Sequence, residues 1–183
     1  MDKLTKRHIN TLDFSKVLLL LEKQAVTVDG KEAAKQIVPS YDFNEVKRLQ
    51  GETLSAYKLI AKYSAPSFGG AINVNPQLSR AQSGGSLSAG ELLNIASVLR
   101  VIRSLSQWRD NHCPDDQNLL PCFSALFPNK YLEDRINDAI ISEEEISDRA
   151  SPALFDIRKK KQAQSGKIRE KLEKPCKNIY RSL

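Results

Sequence analysis

The sequence predicts an all-α fold, and three observations support this. Large apolar residues recur three and four positions apart in nearly every segment, which is the spacing of one helix face. The run Ser88-Ala-Gly-Glu91 has the pattern of a capping box at a helix start. Prolines and glycine pairs divide the chain into pieces of helix length. At most one short β ribbon is expected, near residues 141–148.

The first two helices are predicted before residue 40. An apolar stripe from Leu12 to Leu21 predicts the first helix, and Gly30 separates it from a short second helix over Lys31–Val38. Pro39 is expected to end the second helix, because the residue before a proline is pushed out of the α region.

Two further helices are predicted before the capping box. Asp42 has the position of a cap for a long third helix, and residues 64–75 contain one proline and Gly69-Gly70 and are predicted to form a loop. Pro76 fits the first turn of a short fourth helix, which Gly84-Gly85 ends.

The capping box opens a fifth helix with an apolar face over residues 92–105, ending near Trp108. Trp108 and the tyrosines follow helical spacing and are expected in the core or at its edge. Residues 111–118 are polar and predict a surface loop. Short helices are expected around 120–127 and 130–140.

The last helix differs from the others. Ser151-Pro152 gives it a cap followed by a proline in the first turn. From residue 153 to 174 only five residues are large and apolar: Leu154, Phe155, Ile157, Ile168 and Leu172. A helix this polar around its circumference is not expected in a core. It is predicted to project as a solvated rod or to contact a partner along a thin seam.

The net charge of +6 lies in this last segment. Residues 151–183 contain ten Lys/Arg and three Asp/Glu, whereas residues 1–150 contain 18 basic and 19 acidic residues. A neutral body with a basic arm fits a polyanionic partner, and it also fits a helix that is merely solvated. The candidate nucleic-acid-binding residues are Lys159, Lys160, Lys161, Lys167, Arg169 and Lys171. Lys160, Lys167 and Lys171 are predicted to share one face, with Lys159 opposite.

The chain is expected to be cytoplasmic. The longest apolar run, residues 17–21, is far too short to cross a bilayer, and the charged N-terminus has no apolar signal region. The three cysteines, Cys113, Cys122 and Cys176, form no paired framework and are interpreted as free thiols.

No catalytic centre is predicted. Neither glycine pair precedes the Lys-Ser/Thr of a phosphate-binding loop, and both are interpreted as turns. A zinc site would need a fourth ligand beside His112, Cys113 and Cys122. With His8 as the other histidine of the chain, no nucleophile, base and orienting group can be assembled. Glu143-Glu144-Glu145 is interpreted as a solvated turn.

Three blocks of sequence resemble the Smr-tailed bacterial endonuclease MutS family, the branch that lacks the mismatch-reading domain. The first block is Thr11-Leu-Asp-Phe-Ser-Lys-Val-Leu with Gly30-Lys-Glu-Ala-Ala. The second contains Gly69-Gly70, Leu78, Arg80-Ala81, Gly84-Gly85, Leu87, Glu91-Leu-Leu, Ile95, Leu99-Arg100 and Arg103. The third contains Ser151-Pro-Ala-Leu, Ile157-Arg158 and Lys167-Ile-Arg-Glu-Lys-Leu172. The blocks keep their order and spacing over residues 11–174.

The resemblance implies a helical core domain over residues 1–150 and the start of a lever helix over residues 151–183, leading to a nucleic-acid clamp. It places the ATPase Walker motifs and the Smr nuclease outside this segment, so no cofactor is expected here, and ATP and magnesium belong to the full-length family. That family forms homodimers on nucleic acid and is linked to suppressing recombination and rescuing collided ribosomes.

The chain departs from the family pattern at two places. Residues 73–75 are Asn-Val-Asn where the family usually has an acidic residue, which removes any ion pair made there. Pro175 interrupts the lever helix, and a proline inside a helix costs about 3 kcal/mol. We expect either a kink at this point or a diverged or truncated tail.

The sequence therefore predicts a non-catalytic scaffold that couples an ATPase to a nucleic-acid clamp, with DNA or ribosomal RNA as partner and no membrane. The alternative from another class is a free-standing helical adaptor whose basic helix binds ribosomal RNA or an acidic protein. A fragment without independent activity is the third possibility.

Overall fold

The computed structural model describes residues 11–113 and 115–181, with side chains up to residue 172, and these residues contain eight α-helices, one 3-10 turn and no β-strand. The predicted all-α class is confirmed. In chain order the helices are α1 Phe14–Gln24, α2 Val28–Lys35, α3 Phe43–Tyr63, α4 Asn75–Gln82, α5 Ala89–His112, α6 Leu120–Ser124, α7 Lys130–Ala139 and α8 Pro152–Arg181, with the 3-10 turn at Asp148–Ala150.

The predicted helix starts are confirmed where a local cap specifies them. The Asp42 carboxylate accepts from the Asn44 amide at 2.8 Å at the start of α3. The capping box of α5 is complete, since the Ser88 amide donates to the Glu91 carboxylate at 2.8 Å and the Glu91 amide donates to the Ser88 hydroxyl at 3.3 Å. These bonds satisfy amides that the first helical turn leaves without partners. The same contacts lower the pKa of the Glu91 carboxyl.

The boundaries predicted for α2 are wrong. The helix begins at Val28 rather than Lys31, because the Thr27 hydroxyl accepts from the Gly30 amide at 3.0 Å and caps it. Gly30 therefore lies inside the first turn instead of preceding it. The helix ends at Lys35, before Pro39 can act on it.

Between residues 140 and 148 there is one isolated antiparallel bridge, Ile140 with Ile146, which agrees with the expectation of at most one short β ribbon. The bridge does not extend into a ladder, because α7 ends at Ala139 and the 3-10 turn begins at Asp148. One expectation for the second half needs correction. The helix α5 continues to His112, and Cys113 is buried, so residues 111–113 are not a polar surface loop. Burial raises the pKa of the Cys113 thiol.

The main core lies where α5 packs against α7. Its buried residues are Ile95 and Ala96 of α5 and Ile136 and Ile140 at the end of α7, and Ala96 is 1% exposed. Seven partly buried apolar residues surround this cluster: Val74, Leu87, Ala89, Leu92, Leu93, Leu99 and Ala139. This core is small for a chain of this length. The burial of apolar side chains between α5 and α7 therefore has to position the neighbouring elements as well.

A buried carboxylate joins the same two helices. Glu133 of α7 is 4% exposed and accepts two hydrogen bonds from the Arg103 guanidinium of α5, both at 2.9 Å. The Arg100 Nε atom lies 3.6 Å from the same carboxylate. The hydrogen bonds from Arg103 lower the pKa of Glu133, which stays ionised at neutral pH.

A hydrogen bond connects the α1–α2 hairpin to the loop before α4. The Asn73 side-chain amide donates to the Asp29 carboxylate of α2 at 3.1 Å. An acidic residue here would repel Asp29, whereas the neutral amide can donate to it.

We predict that Glu133→Gln destabilises the fold by about 1 to 2 kcal/mol at pH 7, because Arg103 loses a charged acceptor while remaining partly solvated. The folded-state pKa of Glu133 is lowered, so its stabilisation is present above the unfolded value of about 4.3 and is lost as pH falls through the folded value. Urea unfolding at pH 7 and at pH 3 measures both effects. An equal difference between the two proteins at both pH values would contradict this assignment.

We predict that Gly70→Ala destabilises the fold by more than about 1 kcal/mol. Gly70 has φ of 91°, and a Cβ atom there would lie 2.5 Å from the Ser97 hydroxyl of α5. The matched control is Gly166→Ala in α8, where a Cβ atom meets nothing within 4 Å and a gain of about 0.5 to 1 kcal/mol is expected. Thermal unfolding distinguishes them, and a loss of stability in both variants would refute the explanation.

Candidate nucleic-acid interface

The candidate interface is carried by α8, and Arg158 fixes the start of this helix. Its guanidinium donates to the Ile146 carbonyl at 2.8 Å and pairs with the Asp148 carboxylate. Ile146 belongs to the bridge with Ile140, which lies in the main core. The direction in which α8 leaves the body is therefore set by contacts that begin at the α5–α7 core.

Beyond this anchor, α8 is exposed. It has 30 residues, which corresponds to a length of about 45 Å. Even the apolar residues there remain accessible: Ile168 and Leu172 are 58% and 66% exposed. This agrees with the predicted projecting helix. The helix also continues past Pro175 to Arg181, so the proline does not end it.

All six predicted binding residues lie on the exposed part of this helix. They are Lys159, Lys160, Lys161, Lys167, Arg169 and Lys171. None of them forms an ion pair with another residue in the described part of the chain. Their side chains are exposed and are not engaged in ion pairs among the described residues, so a polyanion can reach them.

Helix geometry sorts the six residues into faces. Each residue is rotated by about 100° from the one before it, so Lys167 and Lys171 each fall within about 20° of Lys160. Lys159 and Lys161 lie on the two flanks, about 100° from Lys160, and Arg169 lies on the opposite side. This corrects the expectation that Lys159 is opposite. We refer to Lys160, Lys167 and Lys171 as the lysine face.

The lysine face points away from the body. Arg158, which holds Ile146 and Asp148, is about 160° from Lys160 around the helix. The Glu143 carboxyl group of the acidic turn approaches Gly90 in the first turn of α5, where a Cβ atom on Gly90 would lie 3.1 Å from it. The amide end of α5 attracts this carboxylate.

The structure places the rejected candidates in structural roles. His112 lies in an aromatic cluster, with its ring 4.6 Å from Tyr63 and 5.0 Å from Trp108, and its Nδ1 atom is 2.8 Å from the Trp108 carbonyl. Gly70 and Gly84 occupy turns with positive φ. Across the described residues, no group of three or more His, Cys, Asp and Glu side chains could hold a metal ion. His8 and the side chain of Cys176 lie outside the described residues.

Sequence reasoning missed two features of this surface. The sequence analysis did not identify Arg158 as the residue that anchors α8. The one signal for this role is the position of Arg158 in the first turns of the helix, close after Asp148. The tyrosines were also expected in the core or at its edge, but Tyr41, Tyr57 and Tyr131 are 82%, 70% and 70% exposed. No helix in the described ranges is both long enough and apolar enough to span a membrane.

Comparison with known proteins gives relatives for nearly the whole chain. It is 37% identical over 172 residues to the endonuclease MutS2 of Acetivibrio thermocellus. It is 35% identical to the MutS2 proteins of Clostridioides difficile and Agathobacter rectalis, over 172 and 179 residues. These matches cover 92% to 96% of this chain. No protein-family model matches the chain.

The chain is homologous to a segment of endonuclease MutS2. The predicted resemblance is confirmed at this level. The chain spans 22% of the length of each of these three MutS2 relatives. Their name describes endonucleases, and most of the length to which that name applies lies outside the aligned segment.

Proposed function

We propose that this chain is a non-catalytic helical scaffold of a MutS2-type protein and that the lysine face of α8 binds the phosphate backbone of nucleic acid. The observation that supports this most directly is the lysine face itself. Three lysines are aligned on a projecting helix, are exposed and have no ion-pair partner among the described residues. Lysine contacts with phosphates provide affinity without sequence choice.

The fold supports a scaffold role through its connections. The packing of α5 against α7 is connected to the long exposed helix α8 by two contacts. These are the bridge between Ile140 and Ile146 and the hydrogen bond from Arg158 to the Ile146 carbonyl. We propose that in a longer MutS2-type protein this helix is the start of a lever that couples an ATPase to a nucleic-acid clamp. Under this proposal ATP and magnesium act elsewhere in that protein, and suppression of recombination or ribosome rescue are activities of the homodimeric whole.

We predict that this chain alone binds duplex DNA weakly, with a dissociation constant of roughly 10⁻⁴ to 10⁻⁶ M at physiological salt. The triple variant Lys160→Gln, Lys167→Gln, Lys171→Gln should weaken binding similarly for every sequence. It should also reduce the salt slope by about 1 for each lysine that no longer neutralises a phosphate. Fluorescence anisotropy with DNA and RNA duplexes of one sequence, over a salt series, measures affinity, slope and preference between the two.

The matched control is Lys159→Gln, Lys161→Gln, Arg169→Gln. It removes the same charge from the same helix but from its flanks and opposite side, and glutamine has a helix propensity close to that of lysine and arginine. A smaller decrease in affinity than in the lysine-face variant is expected. Equal decreases in both variants would show that total charge, rather than the lysine face, governs binding. Unchanged binding in the lysine-face variant would refute the proposal.

We predict that the purified chain hydrolyses no ATP and cleaves no DNA, because neither glycine pair is followed by the Lys-Ser/Thr of a phosphate-binding loop. Phosphate release and plasmid nicking assays, each with added magnesium, test this. Contamination is separated from intrinsic turnover by assaying single-residue variants such as Lys31→Ala. Turnover that such a substitution abolishes would assign the activity to this chain and overturn the prediction.

A further inference from the structure

The helix α3 is oriented with its most apolar face toward solvent. It contacts the body through the opposite side, where the Ser55 hydroxyl accepts from the Asn118 side-chain amide at 2.9 Å and Gly51 lies beside the same residue. No residue of α3 is buried. An amphipathic helix normally packs its apolar stripe inward, so this arrangement leaves a helix face without its usual cover.

The exposed face is continuous and uncharged. No Asp, Glu, Lys or Arg falls on it, and Gln50 is a polar side chain within it. Its other residues recur at three- and four-residue spacing along the helix: Val46, Leu49, Thr53, Leu54, Tyr57 and Ile60. We refer to these six residues as the α3 face. With Val38 the α3 face borders a groove of about 470 Å³. Tyr57 is 70% exposed, and aromatic residues are enriched at the centres of protein interfaces.

Charges flank the α3 face unequally. On one side Lys47 and Lys58 are exposed and form no ion pair with any described residue. On the other side, Glu52 pairs with Arg48, and Glu45 accepts a hydrogen bond from the Ser40 hydroxyl. A hydroxyl donor leaves the Glu45 charge in place, so among the described residues the groove has two unpaired lysines on one flank and one unpaired carboxylate on the other, which is a net positive charge. A partner that fits it carries an apolar stripe and carboxylates beside that stripe.

A second copy of this chain fits the α3 face poorly. In a two-fold pair of antiparallel α3 helices each flank meets its own copy, so Lys47 and Lys58 would face the same two lysines. A parallel pair would bring these lysines to Glu45 and Glu52, but Glu52 already pairs with Arg48, so one unpaired carboxylate would meet two lysines, whereas a helix with carboxylates along its stripe can pair with both. Charge therefore favours a different helix over self-association.

From the exposed stripe and its basic flank, we propose that the α3 face is a docking site for an amphipathic helix with acidic residues along the edges of its apolar stripe. The helix would lie along the groove between α3 and Val38, with apolar side chains against Leu54 and Tyr57 and carboxylates near Lys47 and Lys58. This site is on α3 and does not depend on nucleic-acid binding by α8.

The test uses two synthetic helical peptides of three heptads with the same composition and net charge. Both carry leucine at the two apolar heptad positions. One has glutamate beside the stripe and lysine on the outer face, and the other has these residues exchanged. The full 183-residue chain is titrated against each labelled peptide by fluorescence anisotropy. We expect the peptide with flanking glutamate to bind at least about tenfold more tightly than the other. Its carboxylates lie opposite Lys47 and Lys58, whereas the other peptide places lysines there.

Three variants locate the effect. Tyr57→Ser should weaken binding at least about tenfold, as truncation of a central aromatic residue does at other interfaces. Because Tyr57 is exposed, the unfolding temperature of this variant should be unchanged, which verifies that it is folded. The double variant Lys47→Glu, Lys58→Glu should reverse the preference between the peptides. Its matched control, Lys159→Glu, Lys161→Glu, changes net charge equally on α8 and should leave the preference unchanged.

Equal binding of the two peptides, or a preference that survives the Lys47/Lys58 reversal, would overturn the proposal. Sedimentation is the second readout. A dimer of the chain that Tyr57→Ser dissociates would assign the α3 face to a second copy and would also overturn it. Loss of nucleic-acid binding in the lysine-face variant, with peptide binding intact, separates this site from the function proposed for α8.

Discussion

The packing of α5 against α7 positions the second half of the described chain, from the main core to the start of α8. Ile95 and Ala96 fill the space against Ile136 and Ile140, and Arg103 holds Glu133 at the edge of that contact. The burial of a carboxylate beside an apolar cluster is tolerated because its oxygens accept hydrogen bonds from a guanidinium. Ile140 then pairs with Ile146, whose carbonyl holds Arg158, so a single packing contact sets the exit of α8.

The apolar residues of this chain are divided between a small core and large open faces. The buried hydrophobic residues number nine in the described chain, while most of the large apolar side chains of α1 and α3 are accessible. Scattered exposed apolar residues are ordinary, but a whole helix face without cover is typical of an interaction surface.

The two surfaces of the molecule differ in physical character. The lysine face of α8 is strongly charged and fits a flexible, sequence-independent contact with phosphates, which weakens with salt. The α3 face is uncharged along its centre and charged on one flank, which fits a specific protein contact. They lie on different helices, and nothing in the described packing requires that one be occupied before the other. A scaffold that holds nucleic acid on one element and a protein helix on another is consistent with both.

The helical class and the features that local chemistry specifies could be predicted from the residues alone. Asp42, Ser88 with Glu91, and Ser151 with Pro152 mark helix starts because a cap or a proline acts within one turn of its own position. The placement of the six basic residues on one projecting helix was also predictable, because the polarity of α8 excluded that helix from a core. Homology to MutS2 was also predictable, from short blocks in matching order and spacing.

Which helix faces are covered depends on long-range packing and could not be predicted from the residues alone. Apolar spacing identifies the stripe of α3 but not whether it faces inward, because that depends on contacts with distant residues such as Asn118. The same holds for His112, which the sequence placed in a polar loop and which instead packs among Tyr63 and Trp108. Glu133 could not be distinguished from a solvated acid until Arg103, 30 residues away, was brought against it. Apolar periodicity identifies which face of a helix is apolar. Whether that face is buried depends on where the other helices lie.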